Sequence, residues 1–296
     1  MADNAAWPEL PLGAWADTRT TLHMYTQIMG KIRLALTPRE PQWANVPLVI
    51  TALGLGTGAM KSGDRTFELE LDCVSHALEV RVSDGRRKSI ALVPALCVAD
   101  FYAQLMTTLA TLGLHVNIWP MPVEVQNPIR CTDDREHSAY DPEYVNRFWR
   151  VLTTIAPVFA EHRAPFRHKH TVLQFFWGSF DLAYVRYSGK DLAPMPNADF
   201  ITRIAMDSEE VSAGFWPGDD RFPEPAFYSY TFPKPTGIEQ ETVAPERAFW
   251  HDKLGEFILR YEDVRTAADP RATLLAFLRS TYEAGSHRAG WSIAGP

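Results

Sequence analysis

The sequence predicts an α+β fold made of two similar halves, each with a helix, an antiparallel sheet and a closing helix. Runs that alternate between apolar and polar residues follow one another with short turns between them, which is typical of antiparallel meanders. Ser89–Gly113 and Glu256–Gly285 also share one order, in which a short strand and a linker lead to an amphipathic helix that ends at glycine. We therefore expect a pseudo-duplicated chain whose halves, residues 1–126 and 139–296, pack tightly as one unit on either side of the polar segment Asn127–Ser138.

The first half is predicted to begin with a helix. Asp17 is a suitable N-cap, and apolar residues then recur at helical spacing as far as Leu36. A meander follows, in which Phe67, Leu69 and Leu71 alternate with acidic residues. The predicted elements after the first helix are the strands Val46–Leu53, Thr66–Cys73, Leu78–Val82 and Ser89–Val93 and the helix Val98–Leu112.

The second half contains the stretch around which we expect the fold to be organised, Gln174–Ala183. Read as one continuous strand, it is largely apolar on both faces, which is typical of a strand that is covered on both sides. Asp181 then shares a face with Trp177 and Ser179, and a buried carboxylate needs an ion pair or a hydrogen bond. Two explanations remain open, a structural partner or a ligand pocket that mixes a few polar groups with aromatic rings.

The rest of the second half is predicted to alternate between helices and strands. The predicted elements are a helix that begins at Asp141-Pro142 and is interrupted near Pro157, the strand Ala226–Phe232, a helix near Pro245–Leu254, the strand Glu256–Tyr261 and a last helix that begins at Asp269-Pro270 and ends at Gly285.

Composition argues against several functional classes. The net charge of −7 and the pI near 5.7 disfavour a nucleic-acid partner, because such a partner needs a concentrated basic surface. No apolar run is long enough to span a membrane, and the first residues lack the features of a signal peptide. The three cysteines fit neither a disulfide framework nor a metal-ligand spacing, so we expect a protein of the reducing cytoplasm.

Long motifs are spread over nearly the whole chain, at Trp7-Pro8, Leu22-His23, Thr26-Gln27, Gly30-Lys31, Arg33-Leu34-Ala35, Asp64-Arg65-Thr66-Phe67, Ile118-Trp119-Pro120-Met121-Pro122-Val123-Glu124, Phe175–Ala183 and Gly214–Gly218. In these motifs the sequence resembles a bacterial family that is described as a domain of unknown function, DUF5996. The resemblance implies one full-length unit and a soluble bacterial protein, and it implies no particular activity.

The chain departs from the family pattern at two positions. The resemblance implies a histidine immediately before the Phe-Phe-Trp-Gly run and a Ser-His-Glu triplet, where this chain has Gln174 and Ser208-Glu209-Glu210. Glutamine is a poor metal ligand and cannot act as a general base, so a transition-metal site is not expected at these positions. Glu210 keeps the acidic position of the triplet and is a candidate site residue.

The residues favour an enzyme that acts on a small organic molecule by metal-independent acid–base chemistry. No Gly-x-Ser-x-Gly elbow and no catalytic cysteine signature is present in the sequence, so covalent catalysis is unsupported. We predict Asp181 or Glu210 as the base and His23 as the acid or as a group that orients the substrate. The predicted substrate-binding residues are the apolar walls Trp177, Trp216 and Tyr228 and the polar residues Gln27, Lys31, Gln174, Ser179 and Glu224.

Two alternatives remain open. A non-catalytic binding protein would use the same pocket, and the replacement of both family histidines fits a carrier that needs no proton-transfer pair. A structural or interaction protein would instead have these aromatic residues simply in its core. We predict no cofactor and no metal, because the pair His168 and His170 has basic neighbours that disfavour a cation. The expected partner is a small-molecule ligand, and a homodimer is compatible with the sequence.

Overall fold

The computed structural model describes residues 6–193 and 195–292 of the 296-residue chain. Over this part of the chain it contains six α-helices and two six-stranded antiparallel sheets, which confirms the predicted α+β fold. None of the described helices is both long enough and apolar enough to cross a membrane. The helices are α1 (Ala16–Leu36), α2 (Val98–Thr111), α3 (Pro142–Arg163), α4 (Phe200–Ala205), α5 (Tyr261–Arg265) and α6 (Pro270–Arg288). The strands are β1 (Val49–Ile50), β2 (Gly54–Gly56), β3 (Met60–Ser62), β4 (Arg65–Asp72), β5 (Ala77–Val82), β6 (Arg87–Ala91), β7 (Gln174–Phe176), β8 (Asp181–Asp191), β9 (Ser208–Trp216), β10 (Ala226–Phe232), β11 (Phe249–His251) and β12 (Glu256–Arg260).

The described residues form two compact units. The N-terminal unit comprises Gly13–Trp149 and Phe175–Phe180. The C-terminal unit comprises the described residues before Gly13, Arg150–Gln174 and those from Asp181 onwards. The chain therefore changes unit before Gly13, inside α3 and on either side of Phe175–Phe180, whereas the sequence predicts a single boundary at residues 127–138.

The predicted boundary segment lies within the N-terminal unit and is tied to the start of α2. Backbone N–H groups of Ala95, Val98 and Ala99 donate hydrogen bonds to the carbonyls of Ser138, His137 and Asp134, at 3.0, 3.1 and 2.9 Å. These bonds explain why a polar, loop-like segment belongs to a compact unit, since they satisfy backbone groups at a helix N-terminus.

The N-terminal unit is organised around α1, in which every residue from 21 to 32 is buried. A helix that is buried all round needs neighbours on each side. One neighbour is α2, since the rings of Tyr25 and Phe101 stack with their centroids 4.0 Å apart. The sheet of this unit has the order β1-β2-β4-β5-β6, with β3 also paired to β4. Leu69 on β4 and Val80 on β5 are fully buried, as the alternation in the sequence predicts.

The second sheet has the order β11-β12-β10-β9-β8-β7, and its strands β8 to β12 form the basis of the C-terminal unit. Helix α3 packs on one face of this sheet, where the Phe159 ring lies 5.6 Å from that of Tyr184 and 6.1 Å from that of Phe227. Helix α6 packs on the same face, and Gly285 permits the close approach, because an added Cβ would overlap the Thr231 hydroxyl. We call this side of the sheet the helix-covered face.

Both units share an order of elements. In each, a long helix precedes four antiparallel strands that are neighbours in the sheet, β2-β4-β5-β6 in one unit and β8-β9-β10-β12 in the other. Along the chain, β3 is inserted in the first set, and α4 and β11 are inserted in the second. Helix follows these strands in both units, α2 in the N-terminal unit and the short α5 and then α6 in the C-terminal unit. The predicted pseudo-duplication requires this common order.

The prediction of one continuous strand over Gln174–Ala183 is wrong. β7 ends at Phe176 and β8 begins at Asp181. The residues between them form a tight turn, closed by a hydrogen bond of 2.8 Å from Phe180 N to Phe176 O. Asp181 therefore does not share a strand with Trp177.

Two features of this turn explain why a run of aromatic residues does not stay extended. Gly178 has no side chain, and an added Cβ there would overlap the carboxylate of Glu124. Phe180 has a φ of 61°, in the left-handed region that aromatic residues rarely adopt. The turn thus depends on contacts outside the local sequence.

Three other predictions about helices are also wrong. α3 runs through Pro157 without a break. Proline in a helix interior costs about 3 kcal/mol in helix stability, and the burial of Ile155 and Phe159 beside it offsets that cost. α6 continues past Gly285 to Arg288. The segment predicted as a helix near Pro245–Leu254 instead contains β11, whose backbone pairs with β12.

Candidate functional site

The second face of the C-terminal sheet, opposite the helix-covered face, carries three carboxyl groups. The strand register aligns Ala183, Gly214, Tyr228 and Ile258 across β8, β9, β10 and β12. Side chains alternate along a strand, so residues two or four positions away on each strand point to the same side. We call this side the acidic face, and it carries Asp181, Glu210, Ser212, Trp216, Tyr230 and Glu256.

Tyr228 extends across the acidic face to Asp181. Its hydroxyl, on β10, donates a hydrogen bond to Asp181 Oδ2, on β8. Gly214 lies on the intervening strand β9, where an added Cβ would overlap the Tyr228 hydroxyl. Burial and the charge of Asp181 hold the pKa of Tyr228 well above its ordinary value, so the phenol keeps its proton. Asp181, which is only 7% exposed, therefore has a phenol as a hydrogen-bond donor.

Glu210 contacts the second phenol of the acidic face. The Tyr230 hydroxyl lies 3.1 Å from Glu210 Oε1, and the rings of Tyr228 and Tyr230 are nearly parallel with centroids 6.3 Å apart. Burial raises the pKa of Glu210 from 4.5 to about 8, although the hydrogen bond with Tyr230 and the charge of Lys169 lower it. Glu210 is therefore largely protonated at neutral pH.

Glu256 is a third titratable group on this face, and the sequence does not single it out. Burial and the charge of Asp181 raise the pKa of Glu256 to about 7, while the charge of Arg221 lowers it. Its position follows from the pairing of β10 with β12, a long-range register that no local motif marks. Because Asp181 acts on Glu256 and on Tyr228 alike, the three groups form one electrostatic cluster.

The acidic face can both give and take protons. Glu210 and Glu256 exchange protons near neutral pH, where general acids and bases work best. Carboxyl groups whose surroundings give them different protonation states can act as the acid and the base of one reaction. The arrangement is therefore suited to proton transfer on a bound molecule.

Trp216 provides an apolar wall on the acidic face. It is 7% exposed, and its ring lies 6.4 Å from that of Phe222 with the Arg221 guanidinium 5.0 Å above it. Its indole N–H is buried and has no acceptor among the described residues, an arrangement that a water or a ligand group would satisfy.

Glu224, which the sequence also predicts as a substrate-binding residue, is exposed and forms an ion pair of 3.2 Å with Arg260.

His23 and Gln27, in the N-terminal unit, form hydrogen bonds with backbone groups. His23 Nε2 lies 2.9 Å from the carbonyl oxygens of both Trp177 and Gly178, so this nitrogen donates to the turn after β7. Gln27 Nε2 donates to Val123 O at 2.8 Å, and Gln27 Oε1 accepts from Val123 N at 3.2 Å. Both side chains are buried, and these bonds serve the fold of the N-terminal unit.

Lys31 and Trp177 contact each other in the same unit. Lys31 Nζ lies 5.3 Å from the centre of the Trp119 ring and 5.6 Å from that of the Trp177 ring, which are cation–π distances. Burial lowers the pKa of Lys31. The Trp177 indole N–H donates to Val46 O at 2.9 Å, and Ser179 is half-buried in the turn.

The predicted site residues are thus divided between the two units. Four lie together on the acidic face, namely Asp181, Glu210, Trp216 and Tyr228. Five lie in the N-terminal unit, namely His23, Gln27, Lys31, Trp177 and Ser179. Gln174 is buried on β7, in the C-terminal unit. The residues that sequence reasoning missed are Tyr230 and Glu256, which only the register of the sheet places beside the others.

The residues at the family's histidine positions do not gather metal ligands. Glu209 accepts from Lys190 Nζ at 2.6 Å and from Ser188 Oγ at 3.0 Å, and strand alternation turns it away from the acidic face. His168 is exposed, and its carbonyl lies 2.8 Å from His170 Nδ1. Within residues 6–193 and 195–292, no group of three or more His, Cys, Asp or Glu side chains is arranged to hold a metal ion.

Comparison with protein families gives a match over residues 7–295, to a family described as a family of unknown function (DUF5996). No curated protein and no solved structure matches the chain.

Proposed function

The chain belongs to the DUF5996 family, and from its acidic face we propose that it binds a small organic molecule there and transfers protons on it without a metal. The observation that carries this proposal is the arrangement of two carboxyl–phenol pairs on one sheet face, Tyr228 with Asp181 and Tyr230 with Glu210. The helices α3 and α6 pack on the opposite face, so they do not cover these groups.

Asp181 has the role of the base in this proposal. The Tyr228 hydroxyl donates to one of its oxygens, Oδ2, and a donor of this kind stabilises the ionised carboxylate. The same bond fixes the direction of the carboxylate. Gly214 has no side chain, and this leaves room for Tyr228 to cross β9 and reach Asp181. A carboxylate that is oriented in this way is ready to accept a proton from a bound molecule.

Glu210 and Glu256 have the role of acids. Burial is the largest cause of the raised pKa of both, so each carries a proton for a substantial part of the time at pH 7. Glu256 responds to the charge of Asp181, and loss of that charge on proton uptake would favour ionisation of Glu256. Such coupling allows a proton taken at Asp181 to be matched by a proton given from Glu256.

The walls of the face suit an organic molecule with an aromatic or apolar part. Trp216 packs with Phe222, Ala226 and Ile258 in one apolar cluster, beside the half-buried Tyr228. Ligand sites typically combine such apolar walls with a few polar groups that fix orientation. We place this activity in the bacterial cytoplasm, with a small molecule and no nucleic acid as the partner.

A non-catalytic binding protein is the second candidate. One observation favours it, the ion pair between Glu209 and Lys190 at a position where the family pattern has histidine. That pair is directed away from the acidic face and contributes nothing to proton transfer there. A binding protein would need only the walls and the hydrogen-bonding groups.

A proton-exchange assay separates the two candidates. The purified protein is incubated in D2O with a panel of small ketones, aldehydes and carboxylic acids, and NMR follows replacement of carbon-bound protons by deuterium. We expect the wild-type protein to accelerate exchange in at least one class, and we expect Asp181→Asn to lower that rate by about 10²- to 10⁴-fold. Binding of a panel member without exchange would support the binding protein instead.

The control variant is Glu161→Gln, which removes one carboxylate that pairs with Arg271 on the surface. It should exchange protons at the wild-type rate, and circular dichroism should show that both variants are folded. Wild-type rates in both Asp181→Asn and Glu210→Gln would contradict the assignment of the acidic face.

A further inference from the structure

The helix-covered face of the C-terminal sheet contains a buried arginine that pairs with no carboxylate in the described part of the chain. It is Arg186, which is only 1% exposed and is absent from the ion pairs of the described residues. Its Nη2 donates to the carbonyl oxygen of His162, near the end of α3. Its Nε and Nη1 are also buried, and neither has an acceptor among the described residues.

Two further arginines surround the same place. Arg163 is the last residue of α3, and its buried Nε likewise has no acceptor among the described residues. Arg279 lies on α6 and is exposed. Arg163 directly follows His162, whose carbonyl accepts from Arg186, and Arg279 lies one helical turn before Tyr282, whose ring contacts Arg186. In agreement with this placement, Arg186 and Arg279 both lower the pKa of His162. The cluster is therefore strongly positive.

The neighbours of Arg186 are aromatic rings. Its guanidinium carbon lies 4.3 Å from the centre of the Tyr282 ring and 5.0 Å from that of Phe166. His162 is neutral, because burial and the charges of Arg186 and Arg279 lower its pKa to about 3, so it neither adds to the positive charge of Arg186 nor offsets it. The Tyr282 hydroxyl also forms a side-chain hydrogen bond with the guanidinium, and the rings stabilise the cation in part. Nε and Nη1 still have no acceptor among the described residues.

An arginine cannot escape this cost by losing its proton, because its pKa is too high. Buried charges in proteins are paired or hydrogen-bonded, and guanidinium groups bind phosphate and carboxylate oxygens well. We infer that the cluster of Arg163, Arg186 and Arg279 binds a tetrahedral oxyanion, a phosphate group, at the end of α3. The exposed Arg279 and the half-buried Arg163 mark the side from which the anion enters.

This oxyanion site is independent of the acidic face. Arg186 lies on β8, where alternation directs its side chain to the opposite side of the sheet from Asp181 and Tyr187. The site also accounts for the basic segment Arg163–His170, whose Phe166 packs against Arg186. Failure of one proposal therefore leaves the other standing.

The test measures phosphate binding by the full-length protein. Isothermal titration calorimetry and thermal unfolding are performed at pH 7.5 and constant ionic strength, with chloride replaced by inorganic phosphate, sulfate or phenyl phosphate. We expect saturable binding of phosphate with a rise in Tm. We expect Arg163→Gln and Arg279→Gln each to weaken binding about tenfold, since each loses a charge-assisted hydrogen bond.

Arg271→Gln is the matched control, because Arg271 also lies on the surface of α6 but pairs with Glu161. It should bind phosphate within about twofold of wild type. Tighter binding of phenyl phosphate than of inorganic phosphate would identify a phosphate group carried by an organic molecule, and the reverse order would identify the free ion. The inference is overturned if wild type shows no saturable response beyond chloride, or if Arg163→Gln and Arg279→Gln respond as wild type does.

Discussion

The hydroxyl of Tyr228 donates a hydrogen bond to the carboxylate of Asp181 across an intervening strand of the C-terminal sheet. The bond joins β10 to β8, and it exists because β9 has a glycine, Gly214, at the point of crossing. The pair of Tyr228 and Asp181 on the acidic face therefore requires glycine at position 214.

Gly214→Ala should break this pair. The new Cβ would overlap the Tyr228 hydroxyl and would lie 2.6 Å from the carbonyl oxygen of Leu182, so the ring must move away from Asp181. Overpacking of this kind costs about 1–3 kcal/mol in the free energy of unfolding. Urea unfolding measures the loss of unfolding free energy. Tyr228→Phe should destabilise the Gly214→Ala variant less than it destabilises the wild-type protein.

Glu210→Gln should reduce the loss of stability on going from pH 6.5 to pH 8. The folded state holds the Glu210 proton up to a pKa of about 8, whereas the unfolded chain releases it near 4.5, so the wild-type protein loses stability as pH rises through this range. One such group contributes at most about 1.4 kcal/mol per pH unit. Glu256 contributes in the same direction up to about pH 7, so part of the decline should remain.

Urea unfolding at several pH values measures this effect. Glu161→Gln removes a surface carboxylate and should leave the decline unchanged. An equal decline in wild type and Glu210→Gln would mean that Glu210 ionises at an ordinary pH.

His162 should make the protein sensitive to acid. Its folded pKa of about 3 lies below the unfolded value of 6.5, so the unfolded chain binds a proton that the folded protein does not bind, and stability falls as pH falls from 6.5 towards 3. The Tyr184 hydroxyl donates to neutral His162 Nδ1, an arrangement that a protonated ring would lose. In His162→Gln this part of the acid dependence, about 1.4 kcal/mol per pH unit, should disappear. His287→Gln, at the exposed end of α6, should keep it.

Gly30→Ala should destabilise the N-terminal unit, although glycine to alanine in a helix is ordinarily stabilising. The added Cβ would overlap the ring of Trp177, which cannot move freely because its N–H donates to Val46 O. We expect a net loss of about 1–3 kcal/mol in the free energy of unfolding. In a Trp177→Ala background the same substitution should cost little, and an equal cost in both backgrounds would exclude the ring as the cause.

Elements with local signals could be predicted from the sequence. The start of α6 is one case, since Asp269 precedes Pro270 and its side chain accepts a hydrogen bond of 2.9 Å from Ala272 N. The meander from β4 to β6 is another, because its alternation matches one buried face. The α+β class follows from these elements.

Features that depend on distant residues could not be predicted. The turn after β7 has a sequence that favours a strand, and it forms through the packing of Gly178 against Glu124 and the positive φ of Phe180. Asp181 was identifiable as a carboxylate in an apolar stretch, and Glu210 was identifiable only through the acidic position of the triplet that the family resemblance implies. Tyr230 and Glu256 have no such local contrast, and only the strand register brings them to the same face.

The most direct test of the acidic face is a titration of its carboxyl groups by NMR on protein with 13C-labelled glutamate side chains. Assigned with Glu210→Gln and Glu256→Gln, the titration should show Glu256 ionising near pH 7 and Glu210 near pH 8. Asp181→Asn should lower the pKa of Glu256, because it removes the neighbouring charge. Ionisation of both glutamates near their unperturbed pKa of 4.5 would contradict the proposal that the acidic face is prepared for proton transfer.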